Sequence, residues 1–181
     1  MKSIIWITGI IVLAAFSLSN LNAQSNTGTT RTVFKDFTTE LVWEAKVKIG
    51  KTINVGESKR GMRRVIPILG GTFEGPEIKG SILPMGEDWQ LVRPDGDTEL
   101  YARYLLKTDD GHIIHVLNQA LIHEGGENNE FYCKSVLDLE APVNSPYEFL
   151  NHSVFIGTLG FPELKEGEDP YVIIGVYKLL Q

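Results

Sequence analysis

From Phe37 to Ile49 the chain alternates, with Leu41, Trp43, Ala45, Val47 and Ile49 on one face and Val42, Glu44, Lys46 and Lys48 on the other. A two-residue period is the signature of an extended chain whose side chains point to opposite sides, so a strand is predicted there. Similar runs follow at Arg64 to Leu69, Glu77 to Leu83, Asp88 to Arg93, Thr98 to Thr108, His112 to Ile122, Phe131 to Glu140, Ser153 to Leu159 and Tyr171 to Leu179. Turn signals separate them: Gly70-Gly71, Glu74-Gly75-Pro76, Pro94-Asp95-Gly96-Asp97, Asp109-Asp110-Gly111 and Gly125-Gly126. Asp110-Gly111, between two long alternating runs, is the clearest hairpin. Only Pro146 to His152 has helical character.

About nine strands at this spacing predict an all-β antiparallel sandwich or barrel. A single closed barrel of about nine strands is favoured over residues 37–181, because the strands are long and numerous and closure removes exposed edges. Such a barrel encloses side chains and one small ligand; it is not a pore.

The segment before the strands changes the compartment. Met1-Lys2 is followed by an apolar run from Ile4 to Leu18. At about 15 residues it is too short to cross a bilayer core of roughly 30 Å comfortably. It ends in Leu21-Asn22-Ala23 and reads as a secretory signal peptide over residues 1–23. Leu21 stands where a small residue is usual, so a retained membrane anchor is the alternative. No cysteine lies near the cut, which excludes a lipoprotein anchor. Residues 24–36 are polar, small and aperiodic, a flexible tether. The expectation is an exported protein, periplasmic or extracellular, with no stable membrane insertion after cleavage.

Composition narrows the partners. Of 181 residues, 17 are Lys or Arg and 23 are Asp or Glu, a net charge of −6, and loss of Lys2 with the leader makes the mature chain more acidic still. Such a chain repels phosphate backbones, so no nucleic-acid partner is expected. Cys133 is the single cysteine, so no intrachain disulfide can form. Its place in the alternation Phe131, Cys133, Ser135, Leu137, without a basic neighbour on that face, marks a packed thiol and not a nucleophile.

Candidate chemistry gathers in the middle of the chain. Glycines are dense from Arg63 to Pro76 and again at Gly80 and Gly86, where they serve barrel corners and bulges or a ligand's approach to backbone. They match no phosphate-binding pattern. Arg103 sits mid-strand, with Tyr101 and Leu105 on its own face and Leu100, Ala102, Tyr104 and Leu106 on the other. An arginine there must reach outward or find a carboxylate, Glu74, Asp88 or Asp109 being the candidates. The plainer expectation is a structural ion pair; the sharper one is a clamp for an anion or carbonyl. Facing inward beside Asp88 and Trp89, Arg103 would give a planar donor, a base and an aromatic wall. Glu74 and Asp88 could also act as a carboxylate pair. No metal site is expected, since His112 and His115 fall on opposite strand faces and His123 and His152 lie apart. Neither a nucleophile elbow nor a local triad is present.

Taken together, these stretches resemble the bacterial and fungal proteins grouped as domain of unknown function 3237, over roughly Leu41 to Leu180. The resemblance rests on Gly61-Met62-Arg63-Arg64, the run from Ile66 to Pro76, Gly80 with Leu83-Pro84, and Asp88-Trp89-Gln90. It continues through Asp95-Gly96, Ala102-Arg103-Tyr104, Thr108-Asp109-Asp110-Gly111, Phe149-Leu150-Asn151 and Val154-Phe155-Ile156-Gly157. It implies one β-barrel of lipocalin-like appearance, with the Asp-Trp and Ala-Arg-Tyr elements in its interior or mouth, and no assigned general activity. It adds Arg64 and Asn151 as ligand contacts. Met85 and Phe149 depart from the family's usual glycine and tryptophan, and an exported leader departs from relatives that look cytoplasmic.

Three functions fit these readings. The first is a binding module for a small, partly apolar molecule, with Arg103 as anchor and Trp89, Arg64 and Asn151 around it. The second is a cofactor-free enzyme of lyase, isomerase or lactone hydrolase type, in which Asp88 or Glu74 moves a proton and Arg103 stabilises an oxyanion. The third is an envelope-associated adaptor. No cofactor is called for, and oligomeric state is not legible in the residues.

Overall fold

A computed structural model describes residues 37–125 and 131–180. The leader predicted over 1–23 and the tether predicted over 24–36 therefore lie outside the described residues. Ten strands appear: β1 Thr38–Ile49, β2 Ile53–Ser58, β3 Gly61–Glu74, β4 Lys79–Ile82, β5 Gly86–Val92, β6 Thr98–Thr108, β7 Ile113–Glu124, β8 Phe131–Glu140, β9 Phe155–Gly160 and β10 Tyr171–Leu180. One 3₁₀ turn, Glu148–His152, falls inside the stretch predicted as helical. The predicted all-β antiparallel barrel is the architecture found.

Eight strands close the ring. β1 pairs β10, and β10, β9, β8, β7 and β6 follow as antiparallel neighbours; β6 pairs β5, β5 pairs β3, and β3 returns to β1. β4 lies beyond the end of β5, again between β3 and β6, and β2 adds to β3 outside the ring. β2 is the strand that periodicity missed, because nearly all of its residues are exposed on both faces and no buried face imposes alternation.

β3 is twice as long as its apolar run suggests because it serves both ends of the barrel. Ile68 and Phe73 are both buried although five residues apart, so the alternation must slip once between them. The slip is a register break at Leu69, between the pair Lys48 and Gly70 and the pair Ile49 and Ile68, next to Gly70, whose φ is +118°.

The two halves of the interior differ. Toward the end where β6 gives way to β7 at the Asp110-Gly111 turn, Trp43, Phe73, Leu106, Ile114 and Phe155 fill the barrel, and Leu150 of the 3₁₀ turn plugs it with 1% exposure. Asn151 holds that plug in place: its amide accepts from Ala141 N–H at 2.7 Å and donates to the Ala141 carbonyl at 2.9 Å. Toward the other end, where β1 stops at Ile49, β9 at Gly160 and β10 starts at Tyr171, the core is not filled. Cys133 is buried within the barrel wall, and burial pushes its thiol further from ionisation.

Candidate functional site

The unfilled half holds a cavity of about 80 Å³. Its walls are mostly aliphatic: Val47 and Ile49 of β1, Ile66 and Ile68 of β3, Leu100 and Ala102 of β6, Leu159 and Phe161 at the end of β9, and Val172 and Ile174 of β10. Four polar side chains interrupt them: Asp88 and Gln90 of β5, Tyr104 of β6 and Asn118 of β7.

Strand register explains why these four meet. Asp88 lies opposite Ala102, and Ala102 opposite Asn118, so the three form one row across β5, β6 and β7. In the adjacent row, Arg64 of β3 lies opposite Gln90, and Gln90 opposite Leu100. Side chains one position apart point to opposite faces, so Trp89 and Arg103 must point away from the cavity if Asp88, Gln90 and Ala102 point into it. Between Asp88 and Asn118 the wall carries only the methyl of Ala102. The gap spans two inter-strand spacings, roughly 10 Å between backbones.

The polar residues of β5 form a directed chain. Arg64 Nε–H donates to Gln90 Oε1 at 2.6 Å, and Gln90 Nε2–H donates to Asp88 Oδ2 at 2.6 Å. The backbone N–H of Tyr101 donates to Asp88 Oδ1 at 3.2 Å. Burial nonetheless dominates: it lifts the Asp88 pKa above the ordinary carboxylate value, against the opposing pull of Gln90, the Tyr101 amide and the Arg64 charge. Burial also raises Tyr104, which stays a neutral phenol.

Asn118 is different. It is 3% exposed, and its Oδ1 has no hydrogen-bond partner among the described residues. Ser135 of β8 is a second such residue, with an unpartnered Oγ, opposite Ala120 and Gly157. Buried polar atoms are nearly always partnered, because leaving one dry costs about 1–3 kcal/mol.

Several residues expected at the site stand elsewhere. Arg103 lies on the outer wall, where its Nε–H donates to His115 Nε2 at 3.1 Å while His115 Nδ1 lies 3.1 Å from Glu140 Oε1. Trp89 is 43% exposed on the same outer wall, opposite Val65 and Tyr101. Glu74 is exposed at the far end of β3, opposite Glu44 and Lys79, and faces no cavity shared with Asp88. Asn151 is the staple of the plug. Of the six expected residues, only Asp88 lines the cavity and only Arg64 is tied to it; Gln90 and Asn118 were not singled out by the sequence.

Residues 37–179 match the family described as Protein of unknown function (DUF3237), and the chain belongs to that family. A UPF0311 protein of Rhodopseudomonas palustris strain TIE-1 is 42% identical over 83 residues, 46% of this chain and 54% of that protein. One from Clostridium acetobutylicum is 38% identical over 91 residues, 50% of this chain and 58% of that protein. The matched stretch thus spans little more than half the length of these curated relatives. Among solved structures, a β-barrel like protein of Acinetobacter baumannii superposes with a TM-score of 0.71 at 32% identity, covering 83% of this chain and all of that one. A conserved protein of unknown function from Rhodopseudomonas palustris gives 0.70 at 30% identity, covering 81% of this chain and all of that one. An enzyme from Penicillium herquei, 20% identical with a TM-score of 0.61, covering 81% of this chain and 97% of that one, shares the fold.

Proposed function

We propose that this protein binds a small, largely apolar molecule inside the open half of its barrel. The observation that carries the reading is the lining: aliphatic walls closed at the far end by a packed core, with four polar side chains gathered on neighbouring strands. Apolar walls with a few placed polar groups are how small-molecule sites obtain both affinity and orientation. The anchor assigned from sequence to Arg103 passes to the row of Asp88 and Asn118, since Arg103 is engaged outside. Titration of ¹⁵N-labelled protein with toluene tests this. Saturable amide shifts at Asp88, Ala102 and Asn118 are expected; shifts that fail to saturate, or that fall on the outer wall around Trp89, would overturn it.

A second reading is favoured by one observation, the raised pKa of the buried Asp88 carboxyl. A carboxyl whose pKa is raised by burial is a stronger proton acceptor than an exposed one. On this reading the protein is a cofactor-free enzyme in which Asp88 alone, without Glu74 or Arg103, moves the proton. Product formation from simple lactones that is lost in Asp88→Asn, with toluene uptake retained, would support it. Equal turnover in the variant would remove Asp88 from the chemistry. In both readings the chain acts after export, and N-terminal sequencing of the protein expressed with its leader should begin at Gln24; a chain beginning at Met1 would overturn cleavage.

A further inference from the structure

The ligand's own chemistry is written in the polar row, given the proposal that the cavity is a binding site. Asn118 Oδ1 is an acceptor with no donor among the described residues, nine-tenths and more buried, on a side chain that lines the cavity. Gln90 is different: its oxygen already accepts from Arg64 and its nitrogen already donates to Asp88. Asp88 already accepts from two N–H groups. The capacity left over is then Asn118's: an Oδ1 acceptor that no donor among the described residues completes, beside Nδ2–H donors that have no hydrogen-bond partner among them either, so a group that both donates and accepts, as a hydroxyl does, completes it.

Charge narrows the class further. Among the described residues, those lining the cavity include one carboxyl and no Lys, Arg or His. Arg64, the cation tied to the site, points its Nε–H into Gln90. A carboxylate or phosphate ligand would enter an apolar cavity beside Asp88 with no lining cation to offset its desolvation. A cationic amine would likewise give up its hydration to enter among aliphatic walls that favour no charge of either sign.

We infer that the cavity selects an uncharged, single-ring-sized apolar molecule bearing a hydroxyl, and that Asn118 Oδ1 accepts the hydrogen bond from that hydroxyl. The methyl of Ala102, between Asn118 and Asp88, leaves the space over which the ring lies. Asn118 is then a specificity-determining residue: the walls accept any apolar body of the right size, and Asn118 favours the one that carries a donor at its end.

The test uses three probes of nearly one shape: toluene, phenol and benzoate. Each is titrated into the folded wild-type chain and into Asn118→Leu, with ¹⁵N amide shifts as readout. On the wild type, phenol is expected to bind roughly 3- to 10-fold more tightly than toluene, the value of one uncharged hydrogen bond, with benzoate weakest. In Asn118→Leu the preference for phenol should vanish while toluene still binds, which a merely structural role for Asn118 would not produce. Equal binding of phenol and toluene to the wild type, or binding of benzoate more tightly than phenol, would overturn the inference and leave the cavity reading standing. If none of the three shifts the interior amides, the cavity reading fails with it.

Discussion

Replacing Asn118 by leucine should make the empty protein more stable. The side chain is 3% exposed and its oxygen has no partner among the described residues. Removing an unsatisfied buried acceptor recovers a desolvation penalty of about 1–3 kcal/mol. Leucine has a similar outline, and its branched end extends toward a cavity of about 80 Å³, so overpacking, which elsewhere costs roughly 1–3 kcal/mol, is largely avoided. A net gain of about 1–2 kcal/mol follows, raising the melting temperature by roughly 2–8 °C for a domain of this size. Urea unfolding at equilibrium is the assay: the midpoint should move up with the slope unchanged. A loss of about 1 kcal/mol or more would refute the reasoning, because it would mean that Asn118 makes a structural hydrogen bond that leucine breaks. A residue whose removal stabilises the fold and abolishes selectivity is kept for what it binds.

Three further outcomes follow from the geometry. Because burial raises the Asp88 pKa, the folded protein holds that proton above the ordinary carboxylate value of 3.8 while the unfolded chain has released it. The wild type must therefore lose stability relative to Asp88→Asn as pH climbs from that value through the raised one, and the difference must be flat above it; urea unfolding from pH 3.5 upward that shows the wild type gaining on the variant would contradict this. Arg103→Met and Trp89→Phe, both on the outer wall, should leave toluene and phenol titrations unchanged, and a several-fold weakening in either would show that the outer wall reaches the site. Leu150→Ala removes the plug of the packed end and should cost about 2–5 kcal/mol of unfolding free energy, whereas a variant as stable as wild type would show that the plug does not seal the core.

Much of the barrel was written in the period of two, and so, unread, was the site. The turn at Asp110-Gly111 fixes the pairing of β6 with β7, and with it Ala102 opposite Asn118. The turn at Pro94 to Asp97 likewise fixes β5 against β6, with Asp88 opposite Ala102. Leu100, Ala102 and Tyr104 line the cavity, but both faces of β6 are mostly apolar, so alternation alone does not say which of them points inside. Chemical type points the wrong way here: a tryptophan and an arginine suggest interior residues, while β5 turns Asp88 and Gln90 inward and Trp89 outward. Hydrophobicity says which faces are buried only when the face is apolar, and on β5 it is not. β2 carried no signal at all, since neither of its faces is buried. The absence of a partner for Asn118 is a property of three-dimensional surroundings, and composition could not have supplied it.

The most direct measurement fills the cavity from within. Ala102 lies between Asp88 and Asn118 and lines the open half of the barrel, so Ala102→Leu places a branched side chain where a ligand's ring would lie. With both proteins folded and giving dispersed amide spectra, toluene should shift the interior amides of the wild type saturably and leave those of Ala102→Leu unmoved. Equal saturable shifts in the variant would contradict the claim that the barrel's open half is where this protein holds its ligand.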